Sequence, residues 1–296
     1  MGGLTGSTVL VSGAARGIGA ATARALAAEG ARLVLFDVDA QPLQELVVEI
    51  GEDRAVGTVA DVRDLAAVQA AVDAGIDRFG GLDFAVANAG VGSYGSVLQV
   101  DPEAFRAVIE IDLVGVFHTV RASLPALVER HGYLLLVSSM AAYLPVPGQA
   151  PYNAAKAGVE QFANTVRLEV ARHGVAVGSA HMAWIDTPLI RDARADLPAF
   201  DRMLATLPGP LGRVHAVDEC AAAFVRALEN RSRRVYVPGS MRILAWAQPL
   251  ITSTTAERFM LRMMSRAPNV DDRVAALGRS MSARILAALP ARQPSP

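Results

Sequence analysis

Seven short apolar runs, separated by longer alanine-rich stretches, constrain this chain more than any other feature. The runs are Thr8–Ser12, Arg32–Phe36, Ala55–Ala60, Leu82–Ala87, Tyr133–Ser138, Val175–His181 and Arg234–Val237. Strands this uniformly apolar have no face to offer water, so they belong in a parallel sheet covered on both sides. The stretches between them, Ile18–Glu29, Gln41–Ile50, Asp64–Phe79, Pro102–Glu129, Ala150–Arg172 and Val217–Glu229, read as the covering helices. Gly30 and Gly174 stand where left-handed helix caps go, and Asp101-Pro102 and Asp218 mark helix starts. Right-handed crossovers turn the alternation into a doubly wound α/β fold of the Rossmann type. Ligands then bind at the carboxyl ends of its strands.

With 296 residues, 52% of them hydrophobic, the chain can fill one large core. A net charge of −1 gives no reason to expect nucleic acid as a partner. The one cysteine, Cys220, excludes an intrachain disulfide and a cysteine-based metal cluster. His118, His131, His173, His181 and His215 show no ligand spacing, so no metal is expected. The start lacks a basic segment followed by a long apolar one, and no apolar run approaches the roughly 18 residues of a spanning helix. A cytoplasmic protein is the expectation.

Ser12-Gly13-Ala14-Ala15-Arg16-Gly17-Ile18-Gly19 occupies the first strand-to-helix turn. Gly13 permits a tight turn, Gly17 lets the backbone approach a pyrophosphate, and Gly19 lets helix and strand pack closely. The free N–H groups of the helix start, from Ile18 on, then face an anion. Glycines required only for tight packing are the alternative. Asp37 ends the second strand, where a carboxylate can accept both hydroxyls of an adenine ribose and repel a 2′-phosphate. That favours NAD over NADP. Arg16 pulls the other way, since a guanidinium beside the phosphate turn can hold a 2′-phosphate, or it can simply pair on the surface. Asp61-Val62, after the third strand, can line an adenine pocket, and Asp61 can equally cap the next helix.

Lys156 is the only lysine among 28 basic residues. A compact ammonium with a movable pKa does what a guanidinium does badly. In Tyr152-Asn153-Ala154-Ala155-Lys156 the four-residue spacing puts phenol and ammonium on one helical face. The cation is expected to lower the tyrosine pKa and make it a proton donor and acceptor. An exposed helical Tyr/Lys pair is the bland alternative.

From about Thr5 to Gly239 the chain resembles the short-chain dehydrogenase/reductase family. The resemblance rests on the glycine turn, on Ala87-Asn88-Ala89-Gly90 after the fourth strand, and on Ser138-Ser139 after the fifth. It rests also on Tyr152 with Lys156 and on Ile185-Asp186-Thr187-Pro188. It implies Ser139, thirteen residues before Tyr152, as the catalytic serine beside Tyr152 and Lys156. It also implies cofactor contacts from Asn88, Ala89, Gly90, Ile185 and Thr187, and a homodimer or homotetramer. Two departures stand out. Asp112 replaces the usual asparagine of the fourth helix, bringing a charge or a proton to the catalytic relay. His181-Met182-Ala183-Trp184 replaces a common Pro-Gly. Tyr94, Met140, Tyr143, Leu144, Met182 and Trp184 are substrate-pocket candidates by position, with ordinary packing as the equal alternative.

Two segments fall outside the alternation. Thr187–His215 is too long for a plain connection and reads as a substrate lid, with partial disorder as the alternative. Ser240–Pro296 carries eight arginines against Glu257, Asp271 and Asp272. In it Val274, Leu277, Met281 and Ile285 recur as on one apolar helical stripe. This helical extension is expected to pack over the substrate cleft or against another subunit, with peripheral binding to an anionic membrane as the second reading. Pro290–Pro296 reads as a frayed tail. The expected division is therefore a dinucleotide-binding catalytic domain over 1–239, with its lid at 187–215, and an extension over 240–296. The expected activity is hydride transfer between NAD(H) and a lipophilic secondary alcohol or ketone. NADP-dependent carbonyl reduction, or nucleotide-dependent regulation or scaffolding without turnover, are the alternatives.

Overall fold

The first strand, β1 (Thr8–Ser12), is buried at every residue and lies inside the sheet with strands on both flanks. This computed structural model describes residues 3–207, 209–264 and 270–289. The expected tail over Pro290–Pro296 lies outside them. The chain runs through α1 (Gly17–Ala28), β2 (Arg32–Asp37), α2 (Ala40–Ile50), β3 (Ala55–Val59), α3 (Leu65–Phe79) and β4 (Phe84–Ala87). It continues through α4 (Pro102–Ile109), α5 (Gly115–Glu129), β5 (Tyr133–Val137), α6 (Ala150–Val170) and β6 (Ala176–Met182). The seven-stranded sheet has the order β3-β2-β1-β4-β5-β6-β9, with β9 at Arg234–Val237. Its pairs are all parallel; Val9 stands beside Leu33 on one side and Phe84 on the other.

Because β2 and β3 build outward from β1 in one direction and β4 returns to its other flank, the crossovers part between β1 and β4. A crevice therefore opens at the carboxyl ends of these strands. One face of the sheet is covered by α1, α2 and α9 (Val217–Glu229), around Leu26, Leu43 and Phe224. The other is covered by α3, α5 and α6, around Val72, Leu127 and Val159. Gly30 and Gly174 take φ of +81° and +71°, the left-handed geometry that ends the preceding helices. Asp101 accepts from the Glu103 N–H to cap α4. Asp218 instead lies inside the first turn of α9, whose cap is Ala216.

Four features depart from the sequence reading. The helix expected over Pro102–Glu129 is interrupted by a π-helical turn at Glu110–Val114. That stretch also has the length and mean hydropathy, 1.4, of a spanning helix, contrary to the expectation that no run would. Here it packs on the sheet, with Val108, Val116, Val120 and Leu127 buried. The lid segment folds as α7 (Pro188–Asp196), α8 (Phe200–Thr206) and a short strand β8 (Val214–His215), which pairs with β7 (Trp184–Ile185). The extension forms α10 (Met241–Trp246), α11 (Gln248–Ile251), α12 (Thr254–Met264), α13 (Val270–Leu277) and α14 (Ala283–Ala288). The apolar stripe expected on one helix is thus split. Gly278, at φ +60°, follows the end of α13, and Ser282 restarts the chain as the cap of α14. Val274, Met281 and Ile285 are buried all the same.

Candidate active site

The glycine turn is built by close backbone approach. A Cβ on Gly13 would stand 2.7 Å from the Ala89 Cα, and one on Gly19 would stand 2.0 Å from the Gly13 carbonyl oxygen. Gly13 and Gly17 both have positive φ, at +63° and +54°. Ser12 ties the turn to the end of β4: its Oγ accepts from the N–H groups of Asn88 and Ala89, at 2.9 and 3.1 Å. The Asn88 amide in turn donates to the carbonyls of Ser12 and Gly13. No side chain caps α1, so its first N–H groups are left for a ligand.

Asp37 ends β2 with both carboxylate oxygens engaged by backbone. Oδ2 accepts from the Ala15 N–H at 2.9 Å and Oδ1 from the Asp39 N–H at 3.0 Å. Burial pushes its carboxyl above the ordinary value, with these amides opposing. The Arg16 guanidinium pairs with Asp39 at 2.8 Å on the surface. Asp61 is no helix cap: it is clamped to Arg63, and Asp64 caps α3 instead. Gly13, Arg16, Gly17, Ile18, Asp37, Asp61, Val62, Asn88, Ala89, Gly90 and Thr187 all line one cleft, together with Asp112, Tyr152, Lys156 and Met182.

The π turn sets the far end of that cleft. It carries Asp112 inward, where the carboxylate is fully buried and Oδ1 accepts from the Val91 N–H at 2.8 Å. Oδ2 stands 3.2 Å from Lys156 Nζ, close enough for charge pairing although the alignment is poor for a hydrogen bond. Lys156, also buried, donates to the Val137 carbonyl at 3.1 Å. Burial pushes the Lys156 pKa down, but Asp112 and the Tyr152 phenol outweigh it and hold the ammonium above its ordinary value. Burial likewise raises the Asp112 carboxyl against the pull of Lys156.

Tyr152 corrects the sequence reading. Burial dominates and holds the phenol above its ordinary value; Lys156 lowers it as expected, but Asp112 raises it. Ser139 is within hydrogen-bonding reach of the phenol, and its Oγ accepts from the Ala141 N–H. The neighbouring Ser138 plays a different part, since its hydroxyl donates to the Lys156 carbonyl and fastens β5 to α6. A phenol and a buried cation thus share one cleft with the glycine turn, with the Ser139 hydroxyl beside the phenol. That combination suits proton exchange at an oxygen coupled to nucleotide chemistry.

Other candidates sit off the cleft. Gly19 lies beneath the turn, and Ile185 is buried in β7, where its carbonyl accepts from the Thr187 hydroxyl. Met140, Tyr143 and Leu144 pack with Met241. Tyr94 and Trp184 join the cluster of α7 and α8, with Trp184 edge-on to Phe200. His181, in place of the family residue, is stacked 5.2 Å from Tyr236 and stands 3.1 Å from Glu160. Ile285, one of the apolar stripe, lines the cleft from α14, and sequence reasoning missed its neighbours there, Arg284, Ala288 and Leu289. The apolar stripe was their only signal.

The short-chain dehydrogenase family model matches residues 7–198. A trans-4-hydroxycyclohexanecarboxylate dehydrogenase of Sinomonas cyclohexanicum is 38% identical over 61% of this chain and 73% of its own length. An uncharacterized NAD-dependent oxidoreductase of Mycobacterium tuberculosis is 33% identical over 73% of this chain and 82% of its own. Among solved structures, a short-chain dehydrogenase/reductase of Burkholderia phymatum in complex with NAD superposes with a TM-score of 0.75 at 24% identity. It covers 85% of this chain and 95% of its own. The match spans nearly the whole sheet and every motif just described, and the chain belongs to the short-chain dehydrogenase/reductase family of oxidoreductases.

Proposed function

We propose that this protein transfers a hydride between NAD(H) and a lipophilic secondary alcohol or ketone. The observation that carries the reading is that Tyr152, Lys156 and Asp112 line the same cleft as the glycine turn and Asp37, with Ser139 beside the phenol. The turn fits a pyrophosphate because the start of α1 has no side-chain cap and its N–H groups open on the cleft that Gly13, Gly17 and Ile18 line. When bound, the nicotinamide supplies the hydride chemistry. Tyr152 exchanges the proton at the substrate oxygen, and Ser139 donates a hydrogen bond to that oxygen as charge develops. Lys156, kept cationic by Asp112, favours the phenolate and would hold the nicotinamide ribose.

NAD is favoured because Asp37 puts a carboxylate on the cleft at the end of β2, where it would repel a 2′-phosphate, and because Arg16 is engaged by Asp39. The relatives described as NAD-dependent or bound to NAD agree. The NADP reading keeps one observation of its own, that Arg16 lines the same cleft. The apolar walls, among them Val91, Met182 and Leu189, suit a lipophilic substrate. The Sinomonas relative, named for a hydroxycyclohexane acid, makes cyclic secondary alcohols the first to try. On this reading the protein works in the cytoplasm as a homodimer or homotetramer. Phe105, Val114, Phe117 and Leu168, exposed along α4 to α6, give the subunits an apolar surface to cover.

A panel of cyclic and open-chain secondary alcohols and ketones with both cofactors, read by the absorbance of reduced nicotinamide, tests the proposal. Turnover with NAD(H) exceeding that with NADP(H) is expected. Tyr152→Phe should cut turnover by about 100-fold or more while NADH fluorescence still reports binding. Retained turnover in that variant would refute the assigned acid/base.

A further inference from the structure

The C-terminal part of this chain closes over its own cleft. Ile285, 3% exposed, packs in one cluster with Ala155 and Tyr152 of α6 and with Ala104 and Val108 of α4. Arg284, Ile285, Ala288 and Leu289 face the same space as Tyr152 and Met182. Two sets of polar contacts fix this strap. At its start, the Ser280 carbonyl accepts from the Tyr94 N–H at 2.8 Å and its hydroxyl from the Asp101 N–H at 3.0 Å. Along its length it is held by the lid helix α7. The Arg279 guanidinium grips both oxygens of Asp196, one at 2.7 Å, and the Tyr94 hydroxyl donates to the same carboxylate. Arg284 donates to Asp192 at 3.0 Å. Since α7 starts at Pro188, next to cleft-lining Thr187, the strap, the lid and the candidate cofactor site form one connected body.

We propose that residues 279–289 form the substrate-side wall of the site, that Ile285 and Leu289 set the girth of the substrate, and that the Asp196 clasp holds the wall shut. The inference rests on the hydride-transfer reading above. Arg279 and Arg284 are both tied to carboxylates of the lid, Arg284 where it lines the cleft, while Ile285, Ala288 and Leu289 give that wall its hydrocarbon. The body of the substrate, away from the reacting carbon, therefore meets hydrocarbon and is discriminated by size.

The test compares the full chain with Ile285→Ala, Ile285→Trp, Asp196→Asn and Arg279→Gln. Cyclohexanol and 4-tert-butylcyclohexanol serve as slim and bulky substrates, and the dye 1-anilinonaphthalene-8-sulfonate as an apolar probe. Ile285→Ala should move the ratio of kcat/KM values toward the bulky alcohol by about ten-fold, and Ile285→Trp should move it the other way, as expected for changes of wall volume. NADH affinity should stay within about two-fold, since the strap touches the substrate side. Asp196→Asn and Arg279→Gln should each raise dye fluorescence by opening the clasp, with circular dichroism confirming that both remain folded. An unchanged substrate ratio in both Ile285 variants, or unchanged dye fluorescence in both clasp variants, overturns the proposal. If the native protein oxidises neither alcohol, nor any of the wider panel, the hydride-transfer reading fails. The dye result then still decides whether the strap closes an apolar site.

Discussion

Replacing Lys156 with methionine isolates the buried pair beneath the candidate catalytic tyrosine. The side chains of Lys156 and Asp112 are 3% and 0% exposed and 3.2 Å apart, so the variant strands a carboxylate with no counter-charge. Removing one partner of such a pair costs about 3–5 kcal/mol. At roughly 2.1 cal/mol/K of unfolding entropy per residue, 296 residues give about 0.6 kcal/mol/K, and the melting midpoint should fall by about 5–8 °C. The loss should depend on pH. Burial already raises the Asp112 carboxyl, and without Lys156 the folded state gains further by protonating it. The variant therefore recovers stability as pH falls toward the ordinary aspartate value of 3.8. At the alkaline end, the raised Lys156 pKa contributes stability that is fully present below 10.5 and is lost as pH climbs through the folded value. The variant lacks that alkaline loss. Adding Asp112→Asn removes the stranded charge yet keeps an acceptor for the Val91 N–H, so the double variant should regain most of the deficit while remaining inactive. Thermal unfolding followed by circular dichroism from pH 4 to above pH 11 provides the measurement. A single variant within about 1 kcal/mol of the native protein throughout, or a double variant no more stable than the single one, would refute the reasoning.

Asp37→Ala should relax the preference for NADH over NADPH by about ten-fold or more in fluorescence titrations, because it removes the charge that repels a 2′-phosphate. An unchanged ratio would show that Asp37 does not select the cofactor. Glu160 gives a prediction about acid stability. Burial alone would raise its pKa, but contacts from His181 and Ser179 and the charge of Arg234 bring it down to about 2. The stability it contributes is present above the ordinary value of 4.5 and is lost as pH falls from there to about 2. Glu160→Gln should therefore be less stable at neutral pH and flatten the acid limb of the melting curve within that window. Parallel acid limbs in the two proteins would remove Glu160 as the cause.

The legible parts of this protein are those that local chemistry specifies. Thr8–Ser12 and Arg234–Val237 occur as read, because a parallel strand buried on both faces writes itself as an uninterrupted apolar run. The glycine turn and the Tyr152–Lys156 spacing were equally plain, since each is a short-range requirement of one turn or one helical face. What escaped depends on neighbours far along the chain. Nothing within Pro102–Glu129 announces the π turn at Glu110–Val114, because it is stabilised by what Asp112 meets at Val91 and Lys156. Periodicity drew Val274 to Ile285 as a single helix, whereas Ser280 breaks it to bond with Tyr94 and Asp101, residues some 180 positions away. The Tyr152 pKa followed the same rule: its cation was visible four residues on and Asp112 was singled out, but the burial that outweighs the cation was not.

The sheet, the direction of its crossovers and the proposed acid/base pair were therefore matters of local pattern. Which charges lie buried beside that pair, and which helix walls the cleft, were settled only by packing. Desolvation and closure act through distance in space, and a linear pattern carries no record of that distance.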